Sequence, residues 1–152
     1  MKKLLKLYKR RNLTLGSVES MTGGLFAARI TDVPGSSAVF KGTIVTYNVE
    51  EKINIVGVSK STIEQYGVVS KEVAEEMAEK GRKLLNVDVC VAVTGNAGPT
   101  CEPGGEPAGV FYVAASTKNG TTSRICFKKS KRNGVRNNAV LALREEAYLK
   151  AI

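Results

Sequence analysis

Residues 13–30 read Leu-Thr-Leu-Gly-Ser-Val-Glu-Ser-Met-Thr-Gly-Gly-Leu-Phe-Ala-Ala-Arg-Ile, and the fold turns on how they divide. The apolar stretch Leu13 to Val18 runs into Glu19 and Ser20, and Thr22-Gly23-Gly24 makes a tight corner before a helical segment. That division predicts a strand over Thr14–Val18 and a helix over Thr22–Thr31. N–H groups at a helix start have no partner within the helix and favour an anion or a developing oxyanion. Glycines let another group come close to the backbone. Ser20 therefore stands where a nucleophile is useful. The competing reading is that Ser20 or Thr22 simply caps the helix.

Outward from that corner, helices and strands alternate. Lys2 to Arg11 reads as a short amphipathic helix, and Val39 to Tyr47 is β-branched and strand-like. Short helices are expected over Glu50–Val56 and Ser61–Tyr66. Ser70 with Glu72 marks the start of a longer one, whose core face carries Val73, Ala74, Met77, Ala78, Leu84 and Leu85. Val87 to Val93 is apolar almost throughout, as in a central strand covered on both faces. Thr100 to Ala108 has no period and reads as a loop. Gly109–Ser116 and Thr121–Phe127 form a hairpin through Lys118-Asn119-Gly120. A helix over Asn133–Ala151, with Val140, Leu143 and Ala147 inward, closes the chain. The predicted fold is α/β, a three-layer α/β/α sandwich on a mixed sheet.

Composition limits the chemistry. The 152 residues suit one domain, 1–152, and 43% hydrophobic residues suffice for its core. No apolar run is long enough to span a membrane, and the N-terminus lacks the pattern of a signal peptide. Cys90, Cys101 and Cys126 have no metal or disulfide spacing, which argues for reduced thiols and a cytoplasmic setting. The chain has no histidine. A Ser-His-Asp triad, a Cys-His pair and a His-ligated zinc are thereby excluded. Any base for a hydroxyl nucleophile must be lysine, a carboxylate or tyrosine, and lysine serves when burial or a nearby cation lowers its pKa.

The net charge of +9 is uneven. Residues 1–11 carry six basic and no acidic side chains, and residues 118–136 carry seven and none. Attraction to phosphates is one reading. A solvated basic face is favoured over nucleic acid, because no aromatic residues alternate with these charges.

Sites in open α/β sheets gather beyond the carboxyl ends of strands. Ser20–Gly24, Tyr47–Lys52 and Thr94–Pro99 each follow a predicted strand, and parallel strands bring the three loops to one edge. No phosphate-binding glycine motif of the P-loop or dinucleotide type is present.

In order along the chain stand Glu19-Ser20-Met21-Thr22-Gly23-Gly24, Asp32-Val33-Pro34-Gly35-Ser36-Ser37 and Tyr47-Asn48-Val49-Glu50-Glu51-Lys52. Gly67-Val68-Val69-Ser70, Val93-Thr94-Gly95-Asn96-Ala97-Gly98-Pro99 and Gly104-Gly105-Glu106-Pro107-Ala108-Gly109 follow, then a last helix with Arg136. Together they resemble the C-terminal domain of the CinA (competence/damage-inducible) family over nearly the whole chain. The resemblance implies a pyridine-nucleotide amidase that converts nicotinamide mononucleotide to nicotinate mononucleotide and ammonia, with no metal and no organic cofactor. Carried over by position, Ser20 is the nucleophile, Lys52 its base, and Tyr47 and Thr94 assist. Substrate contacts are expected from Thr22, Gly23, Gly24, Gly95, Asn96 and Gly98, with Arg136 at the phosphate. Oxyanion donors are expected from the N–H groups of Thr22 to Gly24 or beside Gly95. Met21 departs from the family's usual cysteine, and Asn96 from its usual apolar residue. The expected partner is a small-molecule nucleotide, not a membrane, and a homo-oligomer is expected. Two other readings compete. One is a non-catalytic nucleotide- or nucleic-acid-binding domain using the basic segments, and the other a carboxylate-pair hydrolase built on Glu19.

Overall fold

A computed structural model describes all of residues 1–152. In chain order the elements are α1 (Lys2–Arg11), β1 (Leu15–Glu19), α2 (Leu25–Thr31), β2 (Phe40–Val45), α3 (Val49–Glu51), α4 (Lys60–Tyr66), α5 (Lys71–Leu85), β3 (Val89–Gly95), β4 (Val110–Thr117), β5 (Gly120–Phe127) and α6 (Arg132–Ala151). A 3-10 turn, Ser36–Ala38, precedes β2, and a π-helical turn, Lys52–Val56, continues α3. The sheet order is β2-β1-β3-β4-β5, with β1 parallel to β2 and β3, and β4 antiparallel to β3 and β5. The mixed sheet is as the sequence predicts.

Side chains alternate across each strand, so the sheet has two apolar faces. Leu15, Val91, Val93, Phe111 and Val113 pack beneath α1, α2 and α6. Val18, Cys90, Ala92 and Ala114 pack beneath α5. β1 is buried along its whole length because it lies between β2 and β3 with helices on both sides. The carboxyl ends of β1, β2 and β3 therefore share one edge. No helix is long and apolar enough to cross a membrane.

Several expected boundaries move, each for a local reason. α2 starts at Leu25 rather than Thr22, because Gly23 and Gly24 take positive φ and hold the corner as a turn. β2 ends at Val45, so Thr46 and Tyr47 lie beyond the sheet, whereas β3 continues through Thr94 and Gly95. The hairpin turn is Lys118-Asn119, with Gly120 already in β5. Glu50–Val56 is a short α-turn followed by a π-turn. Leu84 is 56% exposed rather than in the core; its place on the buried face of α5 falls to Gly81.

A Cβ on Gly81 would run into the Val18 side chain well inside contact distance. Alanine in a helix gains about 1 kcal/mol over glycine, but overpacking costs about 1–3 kcal/mol. Gly81→Ala is predicted to lose stability, by about 1 kcal/mol net, read as a lowered urea midpoint with the slope unchanged.

Candidate active site

The corner after β1 is held by two charges, the buried carboxylate of Glu19 and the half-buried guanidinium of Arg136. Glu19 is fully buried, and its carboxylate accepts from Thr22 Oγ1 at 2.7 Å, Gly24 N at 3.2 Å, Phe26 N at 3.1 Å and Ala27 N at 3.0 Å. A carboxylate at a helix start satisfies orphan amides and complements the dipole. Neither Ser20 nor Thr22 caps α2, whose N-cap is Gly24 with no side-chain cap bond of its own. From α6, Arg136 Nε donates to Met21 O at 3.0 Å and its Nη2 to Thr22 O at 2.8 Å. The carboxylate thus holds the corner's amides and the guanidinium its carbonyls. Met21 packs into the core beside Phe111 and over Gly95.

Ser20 is left at the turn, 7% exposed. Lys52 reaches it from the next strand end. Asn48 caps α3, its Oδ1 accepting from Glu51 N at 3.0 Å, and the backbone then widens into the π-turn that begins at Lys52. Such turns recur at functional sites, because the extra residue re-aims a side chain. Lys52 is 1% exposed. Its Nζ lies 2.8 Å from Ser20 Oγ and donates to Thr46 O at 2.7 Å. Burial alone pushes the amine down from 10.5 to about 8, since desolvation disfavours the ammonium form.

The other expected residues are placed less directly. Thr94 is buried at the end of β3 and donates through Oγ1 to Val68 O at 2.9 Å, tying the α4–α5 connection to the strand. Tyr47 is 60% exposed, and its Oη accepts from Arg132 Nη2 at 2.7 Å; it bonds to neither Ser20 nor Lys52. Arg132 Nη1 also donates to Gly98 O at 2.7 Å, so one guanidinium joins the loops after β2 and β3. Arg132 does not stand out in the sequence, because it sits in a basic run that reads as a solvated face. Its only signal was lying one helical turn before Arg136.

Three expected binding roles change. Arg136 binds the corner carbonyls through Nε and Nη2, a structural role beside the phosphate contact expected of it. Gly23 N bonds Ser20 O and Gly24 N bonds Glu19, so neither is available to an oxyanion. Asn96 N bonds Val110 O, and Gly98 N bonds Asn96 Oδ1, which also occupies the amides beside Gly95. The amides of Met21 and Thr22 donate to no group in the chain. Gly95 serves packing, since a Cβ there would collide with Phe111 and Met21. A cleft of about 780 Å³ opens next to Gly95 and Asn96, walled by Val49, Tyr66, Val68, Glu102 and Glu106. That size suits a small organic ligand.

A family model for the CinA C-terminal domain matches residues 1–146. The chain belongs to the CinA C-terminal domain family. This CinA domain is 45% identical over 138 residues to a Thermoanaerobacter pseudethanolicus protein named as competence-damage inducible, covering 91% of this chain and 33% of that protein. It is 40% identical over 136 residues to a CinA-like protein of Fervidobacterium nodosum, covering 90% and 33%. The chain thus spans about a third of the length of these relatives. The crystal structure of a competence or damage-inducible protein from Enterobacter asburiae superimposes with a TM-score of 0.95 at 26% identity, over 99% of this chain and 95% of that one.

Glu19→Ala would strip the four donors at the corner, and the more distant hydroxyls of Ser17 and Thr43, of their buried acceptor. Hydrogen bonds to a charged group are worth about 1.5–3 kcal/mol each, and water entering the gap recovers part of the total. The expected loss is about 3 kcal/mol or more, measured as a drop in the urea midpoint.

Proposed function

We infer that this CinA domain is an amidohydrolase with Ser20 as nucleophile and Lys52 as its base, and that it deamidates nicotinamide mononucleotide. The observation that carries the reading is the 2.8 Å approach of a buried amine to a hydroxyl at a strand-to-helix corner, in a chain without histidine. A general base belongs within about 2.6–3.2 Å of the proton it takes. With its pKa at about 8, roughly a tenth of the amine is neutral at pH 7; an ordinary lysine is neutral in fewer than about one molecule in a thousand. The choice of substrate rests on the family resemblance.

The chemistry follows from these groups. Neutral Nζ takes the hydroxyl proton as Oγ attacks the carboxamide carbon. The free amides of Met21 and Thr22 are the donors for the resulting oxyanion, a contact worth about 3–4 kcal/mol of barrier. The ammonium of Lys52 returns its proton to the nitrogen, and ammonia leaves an acyl-serine. Water then releases nicotinate mononucleotide. Thr94 steadies the wall of the site, and Arg132 holds Tyr47 at its mouth.

Ammonia release from nicotinamide mononucleotide tests the reading. Ser20→Ala and Lys52→Ala are each expected to lower kcat at least about a thousandfold, since members of such units fail together. Ammonia release that survived Ser20→Ala would refute the nucleophile. A wild-type domain releasing none, but binding DNA with a steep salt dependence, would favour the binding-module reading.

The pH profile is a separate check. Protonation disables the base, so kcat/KM is expected to fall tenfold per pH unit below about 8 and to level off above it. A profile flat from pH 6 to 9 would remove Lys52 from the role.

A further inference from the structure

The cleft beside the Ser20–Lys52 pair has a lining at odds with the rest of the molecule. The chain carries a net charge of +9, yet none of the residues around this cavity of about 780 Å³ is basic, and two of them, Glu102 and Glu106, are carboxylates. Tyr66, 49% exposed, adds an aromatic wall, and Val49 and Val68 add aliphatic ones. Glu106 is half-buried and held in place. Its Oε1 accepts from Tyr112 Oη at 3.2 Å, and its carbonyl accepts from Asn96 Nδ2 at 3.1 Å.

Sheet register places this cleft at the reacting pair. Val18 of β1 pairs with Ala92 of β3, so Ser20 and Thr94, each two residues further on, stand level and about 5 Å apart, one strand spacing. Gly95, the next residue, lines the cleft. On the other flank Val49 lines it, about one helical turn before Lys52. Thr94 Oγ1 donates to Val68 O at 2.9 Å, which ties the cleft wall to the same strand. The cleft therefore starts within about 10 Å of Ser20, one strand spacing and one Cα step away.

Carboxylates set on aromatic and aliphatic walls suit a flat, delocalised cation, which gains from the opposite charge and from the π face together. A nicotinamide ring joined to ribose through its nitrogen is such a cation, a pyridinium whose charge lies across the ring from the carboxamide. We propose that this cleft selects N-substituted pyridinium carboxamides over neutral amides, with Glu102 and Glu106 toward the ring's charge and Tyr66 against its face. The inference rests on the amidase reading above and adds the feature by which the substrate is told apart. With the carboxamide carbon at Ser20 Oγ, the ring nitrogen points outward into the cleft, and the carboxylates turn the phosphate away from it. Free nicotinamide, whose ring is neutral, gains nothing from either carboxylate.

Reduced nicotinamide mononucleotide is the probe, because the added hydride cancels the ring charge and leaves carboxamide, ribose and phosphate in place. With Glu102→Gln and Glu106→Gln together, KM for nicotinamide mononucleotide is expected to rise about tenfold at low salt, since each exposed charge pair is worth up to about fivefold. A contact made equally in the ground and transition states shows in KM, so kcat should stay within about twofold. The inhibition constant of the reduced form reads binding whether or not that form is hydrolysed, and should also move less than about twofold. Salt at about 1 M should shrink the difference between the two ligands. Glu102→Lys, on an exposed side chain, repeats the test without touching the Tyr112 bond and should raise KM for the cation more than Glu102→Gln does. A KM left within about twofold of wild type, an equal weakening of both ligands, or a loss carried by kcat alone overturns the inference and leaves the amidase reading standing. A wild-type domain that releases no ammonia overturns that reading and the inference with it.

Discussion

An amine taken out of water with no carboxylate to answer it is the constraint on which the rest depends. Lys52 Nζ meets only two oxygens, a hydroxyl and a carbonyl. A buried lysine paired with an acid is held in its charged form, whereas one surrounded by neutral dipoles is pushed toward the free base. The fold does the second, and burial is the sole cause of the lowered pKa. Stability bears the consequence. The folded pKa lies near 8 and the unfolded one near 10.5, so between those values the unfolded chain binds more protons and stability rises with pH. Below about pH 8 the fold carries the whole penalty of an enclosed ammonium. The site is kept at the expense of stability, as functional sites commonly are.

Around that amine, the placement of Ser20 depends on the corner being rigid. Glu19 and Arg136 are both charged, and both looked chemically available in the sequence. Each is committed to backbone: the carboxylate to Gly24, Phe26 and Ala27, the guanidinium to Met21 and Thr22. A carboxylate bonded by three amides of the helix start is a cap, which leaves the carboxylate-pair reading without its first member. A guanidinium bonded to two carbonyls of the nucleophile's turn sets the position of Ser20 from the far end of the chain. That turn therefore joins β1 and α2 to α6, which lies more than a hundred residues further along the chain.

The fold was largely legible because its signals are periodic. The apolar run ending at Val93 announces a strand covered on both faces, Ser70 announces α5, and Asn119-Gly120 announces the hairpin. Misreadings occurred where a residue's side chain matters less than its neighbour's shape. Leu84 has helical spacing with the core residues of α5, yet it is exposed, while Gly81 lies on the buried face and lets Val18 pack against the helix directly. The site was legible as residue types and not as hydrogen bonds. Ser20 stands out at a strand end, and the missing imidazole leaves lysine, a carboxylate or tyrosine as base; only the family resemblance names Lys52. That Gly23 and Gly24 had already given their amides to Ser20 O and Glu19 is a property of the turn's dihedral angles, which no spacing rule exposes.

The basic surplus makes the same point in terms of charge. Residues 118–136 contain seven cations and no anions, which in one dimension looks like a phosphate-binding strip. Folded, the strip comes apart. Arg124 donates to Glu145 and Glu146 across β5 and α6, Arg132 spans Tyr47 and Gly98, and Arg136 holds the Ser20 corner. These guanidiniums have planar forks suited to fixed, multiple acceptors, a geometry that lysine lacks. The lysines of the run, Lys118, Lys128, Lys129 and Lys131, enter no salt bridge or side-chain hydrogen bond. Within this run the sorting is by chemistry rather than by sequence position: the arginines tie elements together and the lysines are left to solvent, whereas the buried Lys52 is the kind of lysine that can lose its proton.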